Sequence, residues 1–107
     1  MDKNKNRLKI IKEELQFIRK TLNGVDEQKF LSDDVLQHAI AMSLISIGEA
    51  ANHLSEEFKE KYSEIEWYKI IAVRNIAAHG YGQLDMRQVW QAMLEDIPVL
   101  EKFITEL

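Results

Sequence analysis

The run Asp33-Asp34-Val35-Leu36-Gln37-His38-Ala39-Ile40-Ala41-Met42-Ser43-Leu44-Ile45-Ser46-Ile47-Gly48-Glu49-Ala50-Ala51-Asn52-His53-Leu54 decides the fold. Leu36, Ile40, Ser43, Ile47, Ala50 and Leu54 recur at steps of three and four, which sets them along one side of a helix. Val35, Met42 and Ile45 add a second apolar side, while Ala39, Ala41, Gly48, Ala50 and Ala51 keep the helix slim. The pattern predicts a helix from Asp33 to Leu54. Ser32 is its expected N-cap, with Asp33 and Asp34 in the first turn facing the positive end of the dipole. In a small chain, a helix apolar on two sides is a central core helix, part of a dimer interface, or both.

Outward from this run the chain stays helical. Towards the N-terminus, Leu8, Ile11, Leu15, Ile18 and Leu22 mark an amphipathic helix from Lys3 to Leu22, stopped by Asn23-Gly24 and followed by a linker to Leu31. Towards the C-terminus, Ser55 can cap a short helix from Glu56 to Tyr62 with Phe58 as its core anchor. Trp67 opens the next helix, whose Ile70, Ile71, Val73, Ile76 and Ala77 point inward and which Gly80 ends. The last helix, with Asp85 as its expected N-cap, carries Val89, Trp90, Met93, Leu94, Ile97, Leu100, Phe103 and Ile104. Pro98 lies inside it and predicts a kink or break near Glu95. The expectation is an all-α chain, an up-and-down antiparallel bundle of four to five helices, forming one domain over 1–107.

Composition narrows the function classes. Hydrophobic residues are 46% and charged residues 30% of 107, a globular balance, and four glycines and one proline leave few helix breakers. The absence of cysteine excludes disulfides, thiolate catalysis and thiolate metal sites, and fits a reducing cytoplasm, the expected location. The basic N-terminus runs into an amphipathic helix rather than an apolar leader. No apolar run approaches the ~20 residues of a membrane span, so no membrane association is expected. A net charge of −4 argues against a general nucleic-acid coat protein; any RNA contact should be confined, made where two subunits pool their cations.

The stretch Val73-Arg74-Asn75-Ile76-Ala77-Ala78-His79-Gly80-Tyr81-Gly82 carries the chemistry. Arg74 offers a fixed fork of donors for phosphate oxygens. His79, in the last helical turn, meets the negative end of the dipole, which favours imidazolium and suits a general acid or an oxyanion ligand. Asn75 adds a neutral donor, and Tyr81 a hydroxyl on a glycine-flanked turn. The bland reading of each is familiar: an arginine within a helix makes a surface ion pair, and a histidine near a helix end caps it. His38 and His53 take that reading outright, and with three histidines and no His-x-x-x-His spacing no metal site is expected. There is no serine elbow and no glycine-rich phosphate loop. Five residues place Arg74 and His79 about 140° apart around one helix. One helix does not converge them, so a shared site needs a bend or a second copy. Glu49 stands alone as a carboxylate in a small apolar stretch, either exposed on the far face or holding Arg74 or a neighbouring helix in place.

These residues carry a resemblance. Arg74-Asn75-x-x-x-His79-x-Tyr81 resembles the Arg-x4-His signature of HEPN domains, in the form extended by a tyrosine. Ile47-Gly48-Glu49-Ala50-Ala51, Trp67 ahead of Ile70-Ile71, Val89-Trp90 and Asp96-Ile97-Pro98-Val99-Leu100 are similar to the HepT-like branch, over roughly Leu36 to Leu107. The resemblance implies a HEPN-like homodimer whose motif helices face each other across a cleft. It implies a metal-independent endoribonuclease toxin of a type VII toxin–antitoxin pair, cutting RNA by attack of the ribose 2′-hydroxyl. Arg74 and His79 would be catalytic, with Asn75 in support, and the residue-level reading of Glu49 adds it as a second supporting group. Tyr81 would be the hydroxyl AMPylated by a minimal nucleotidyltransferase antitoxin, with ATP used by that partner alone and no cofactor in this chain. Two other functions stay open: a non-catalytic HEPN dimer that binds a nucleotidyltransferase partner or a nucleotide, and an interaction module in which the motif only packs and caps.

Overall fold

The computed structural model describes residues 3–79 and 83–107, without the side chains of His79 and of 83–85. Six helices follow in order: α1 (Lys3–Thr21), α2 (Glu27–Leu31), α3 (Asp34–Asn52), α4 (Glu56–Lys61), α5 (Trp67–His79) and α6 (Gln83–Glu106). No strand occurs among the described residues. The four long helices form a ring in which α1 packs on α3, α3 on α5, α5 on α6 and α6 back on α1. Chain direction alternates around it. Asn4, at the start of α1, exchanges hydrogen bonds with Ser55 just beyond the end of α3: its amide donates to Ser55 Oγ at 3.1 Å and its Oδ1 accepts from the Ser55 N–H at 3.0 Å. Trp67, at the start of α5, lies against Phe103 near the end of α6, ring centroids 5.8 Å apart.

The apolar stripe read in α1 is the buried one, with Ile11, Leu15 and Ile18 inside and Leu8 and Leu22 at its margins. α3 is the central helix: Ile40, Ala41, Leu44, Ile47, Gly48, Ala50 and Ala51 are all buried, between α1 and α5. Its second apolar side divides. Ile45 is half-buried, whereas Val35 is 78% and Met42 63% exposed. Aromatic rings close both ends of the core. Phe58 and Tyr62 of the α4 segment meet Trp67 and Phe103 at one end, and Phe30 of α2 stacks on Trp90 at 5.3 Å at the other.

Four local expectations change. The linker before Leu31 contains α2, capped by Asp26, whose carboxylate accepts the Lys29 N–H at 2.8 Å, so the bundle has one short helix more than the sequence pattern predicts. Ser32 is not the N-cap of α3. It ends α2, and Asp33 caps α3 by accepting the Leu36 N–H at 3.1 Å. Asp85 is not the N-cap of α6, which has already begun at Gln83. Pro98 does not break α6, which runs on to Glu106. The carbonyl that Pro98 leaves without a helical donor is that of Leu94, on the same exposed side of α6, where water can serve it. The expected stop of α5 at Gly80 lies outside the described residues.

Candidate active site

α5 buries Trp67, Ile70, Val73 and Ala77, which turns Arg74 to the flank where α5 meets α3. The two helices touch closely there because of Gly48. A Cβ built on it would lie 2.4 Å from Arg74 Cβ and 3.3 Å from Arg74 Cα, well inside contact distance. With no side chain at 48, the α3 backbone sits directly beneath the arginine. The next residue along α3 then reaches its charge: Arg74 donates from Nη1 to Glu49 Oε1 at 2.9 Å. Of the two readings of Glu49, the structure has the carboxylate that holds Arg74. Their side chains are 26% and 48% exposed, so the pair sits at the rim of the bundle. An ion pair this open is worth no more than about 1 kcal/mol. Its effect is to fix the direction of the guanidinium.

Asn75, exposed on the next position, accepts a long 3.4 Å contact at Oδ1 from Arg74 Nε. Of the five N–H donors of the guanidinium, Glu49 and Asn75 take one each, and the remaining three have no partner among the described residues. A planar cation that is held by one carboxylate and keeps three donors unused fits the oxygens of a phosphate. His79 is the last residue of α5, on the same unbroken helix as Arg74. Its side chain lies outside the described set, as does Tyr81 altogether.

The other two histidines serve the backbone. His38 Nδ1 is 2.9 Å from the Asp34 carbonyl and His53 Nδ1 2.8 Å from the Glu49 carbonyl, each one turn earlier in α3. Among the described residues no three His, Asp or Glu side chains converge on a point that could hold a metal ion, and no helix is long and apolar enough to cross a membrane. Sequence reading missed the part played by Gly48, which it counts only as small. The available signal was its place inside a helix, where glycine costs about 1 kcal/mol relative to alanine.

Comparison with known proteins places this chain in a family. Residues 11–107 match the family described as "Ribonuclease HepT-like". Two proteins that carry the name "Putative RNase" are similar. One, from Caldanaerobacter subterraneus subsp. tengcongensis, is 36% identical over 100 residues, 94% of this chain and 89% of its own. The other, from Methanocaldococcus jannaschii, is 30% identical over 78 residues, 73% of this chain and 72% of its own. A protein of Thermococcus cleftensis named "Probable ribonuclease HepT" is 32% identical over 98 residues, 92% of this chain and 89% of its own. No solved structure matches the chain.

Proposed function

The chain belongs to the HepT-like ribonuclease family of the HEPN superfamily, and from that premise we propose that it is a metal-independent endoribonuclease toxin, the toxic half of a type VII toxin–antitoxin pair. The observation that carries this reading is Arg74, paired with Glu49 at the α3–α5 seam and keeping three N–H donors without a partner among the described residues. In the reaction, the ribose 2′-oxygen attacks the adjacent phosphorus and the P–O5′ bond breaks, leaving a 2′,3′-cyclic phosphate and a 5′-hydroxyl. Negative charge builds on the phosphorane oxygens, where a preoriented guanidinium acts most strongly. The 2′-hydroxyl loses a proton and the 5′-oxygen gains one. His79, at the negative end of the α5 dipole, is suited to proton transfer near neutral pH. Asn75 supports Arg74 from the adjacent position.

Arg74 and His79 stand five residues apart on one regular helix, so the complete site is a composite across a homodimer that brings two copies of α5 together. The solvent-facing Val35 and Met42 of α3 supply an apolar surface on the helix that carries Glu49. Tyr81 follows His79 by two residues and is the site at which a minimal nucleotidyltransferase antitoxin transfers AMP from ATP, the tyrosine oxygen bonding to the α-phosphorus and pyrophosphate leaving. The added phosphate brings negative charge beside Arg74 and competes with RNA for its donors.

Purified protein should cut single-stranded RNA in EDTA. Arg74→Ala and His79→Ala should each slow cleavage by on the order of 100-fold or more. Incubation with the nucleotidyltransferase and ATP should add AMP mass to the Tyr81 peptide, and Tyr81→Phe should prevent both the mass and the inhibition. RNA left whole by the wild type, or cut equally by the variants, sinks the nuclease reading; AMP on another residue sinks the regulatory one.

A further inference from the structure

The net charge of −4 conceals an uneven distribution. Lys3, Lys5, Arg7, Lys9 and Lys12 place five cations and no anion in the first half of α1, and the remaining nine basic and eighteen acidic residues leave −9 elsewhere. This arrangement opposes the helix it sits on. The first turn of α1 has no acidic residue, and cations there face the positive end of the dipole, which disfavours them. Nor are the charges absorbed by ion pairs. Among the described residues only Lys9 has such a partner, Glu13 at 4.0 Å, with both side chains largely exposed.

Lys5, Lys9 and Lys12 recur at one-turn spacing and line one rim of a groove of about 630 Å³, whose floor is Leu8, Ile104 and Leu107. The groove belongs to the α1–α6 seam, where the two helices meet only lightly. It continues past Lys12 into a second hollow lined by Leu15, Ile104 and Glu101. Glu101 is paired with Arg19, so the hollow ends in a neutralised pair. The result is a furrow, basic along one stretch and apolar at its base, rising about 10 Å between Lys5 and Lys12.

We propose that this furrow is a second RNA contact, in which Lys5, Lys9 and Lys12 hold the phosphates of a single strand outside the cut site. Around the ring of long helices the α1–α6 seam lies opposite the α3–α5 seam that carries Arg74. The RNA footprint is therefore longer than the scissile phosphodiester, and the furrow acts on binding rather than on the chemical step. The apolar floor suits the faces of unpaired bases, and a chain carrying −9 elsewhere gains a directed approach for a polyanion. This inference rests on the ribonuclease reading for its ligand.

The test is RNA binding by fluorescence anisotropy as salt is raised, with the full-length chain in a His79→Ala background that leaves the RNA uncut, and unstructured single-stranded RNA. The triple variant Lys5→Gln, Lys9→Gln, Lys12→Gln should weaken binding and lower the slope of log affinity against log salt by about 2, from roughly 0.7 per lost phosphate contact on a single strand. The loss should grow with RNA length and be nearly absent for a dinucleotide. The corresponding lysine-to-arginine triple should bind as wild type, and Lys20→Gln, Lys61→Gln, Lys102→Gln, which removes equal charge elsewhere, should leave the slope near its wild-type value. Glutamine matches lysine closely in helix propensity, so fold is retained. Equal slopes for the two glutamine triples overturn the proposal, as does unchanged RNA affinity with lost binding to polyglutamate, which would assign the furrow to an acidic protein. Because binding is read on uncut RNA, a slope that depends on the furrow beside a wild type that cuts no RNA sinks the nuclease reading alone.

Discussion

A glycine inside a helix gives up about 1 kcal/mol relative to alanine, and Gly48 accepts that cost in the helix at the centre of the bundle. The contact explains why. The atoms a Cβ would strike at 2.4 and 3.3 Å are the Cβ and Cα of Arg74, which cannot swing aside as the end of a flexible side chain could. Gly48→Ala should therefore destabilise the fold by about 1–3 kcal/mol through overpacking, reversing the sign that helix propensity alone predicts. It should also move Arg74 off Glu49. Urea unfolding measures the first effect and single-turnover RNA cleavage the second; an alanine variant as stable and as fast as wild type removes Gly48 from the account. Glu49→Gln is the milder companion. It keeps an acceptor for Arg74 Nη1 but discards the charge, so cleavage should fall far less than with Glu49→Ala. Single-turnover rates of the two variants decide this, and equal losses would mean that the charge, not the orientation, is what Arg74 requires.

At the scale of elements, the long helices are legible because each buries a stripe several turns long, and such periodicity survives in sequence. The short α2 is not. Its five residues bury only Phe30, and one anchor makes no period. That Pro98 does not break α6 is hidden for a related reason: its cost depends on whether the freed carbonyl is buried, which no local pattern reveals. In the candidate site, Arg74, Asn75 and His79 are legible as types of chemistry on one run and the Glu49–Arg74 pair as one of two readings of Glu49, while the glycine contact on which that pair rests is invisible in one dimension. The N-cap of α3 gives a pH-dependent test. The Leu36 N–H, and then Lys29 with its ammonium 3.1 Å away, hold the Asp33 carboxyl below the usual carboxylate range. A pKa lowered by folding stabilises the protein above the unfolded value and loses that contribution as pH falls through the folded one. Asp33→Ala should therefore lower Tm at pH 7, and its deficit should shrink below about pH 4. Asp33→Asn, which can still accept from Leu36, should lose less. A deficit for Asp33→Ala that is constant with pH would show that ionisation has no share in the cap.

For the whole molecule, the ring of four helices already satisfies the core, yet it leaves Val35 and Met42 on the outer side of α3 largely in water. Two such residues are unremarkable alone. They matter because they stand on the helix that delivers Glu49 to Arg74, so a second copy seated there would place two guanidinium groups in one cleft. A two-fold contact uses the same patch twice, so each substitution acts twice. Burying a methionine side chain contributes about 1.5 kcal/mol or more, so in the proposed homodimer Met42→Asp, present in both protomers, should raise Kd on the order of 100-fold. Since Met42 is 63% exposed within one chain, the variant should keep its helical circular dichroism and its monomer fold. Light scattering across a dilution series then gives a clear outcome. A folded monomer that no longer cuts RNA ties the chemistry to the assembly, and a folded monomer that cuts at the wild-type rate returns the whole site to one chain. An unaltered dimer moves the interface away from this face of α3, and with it the route by which Arg74 and His79 of different protomers meet.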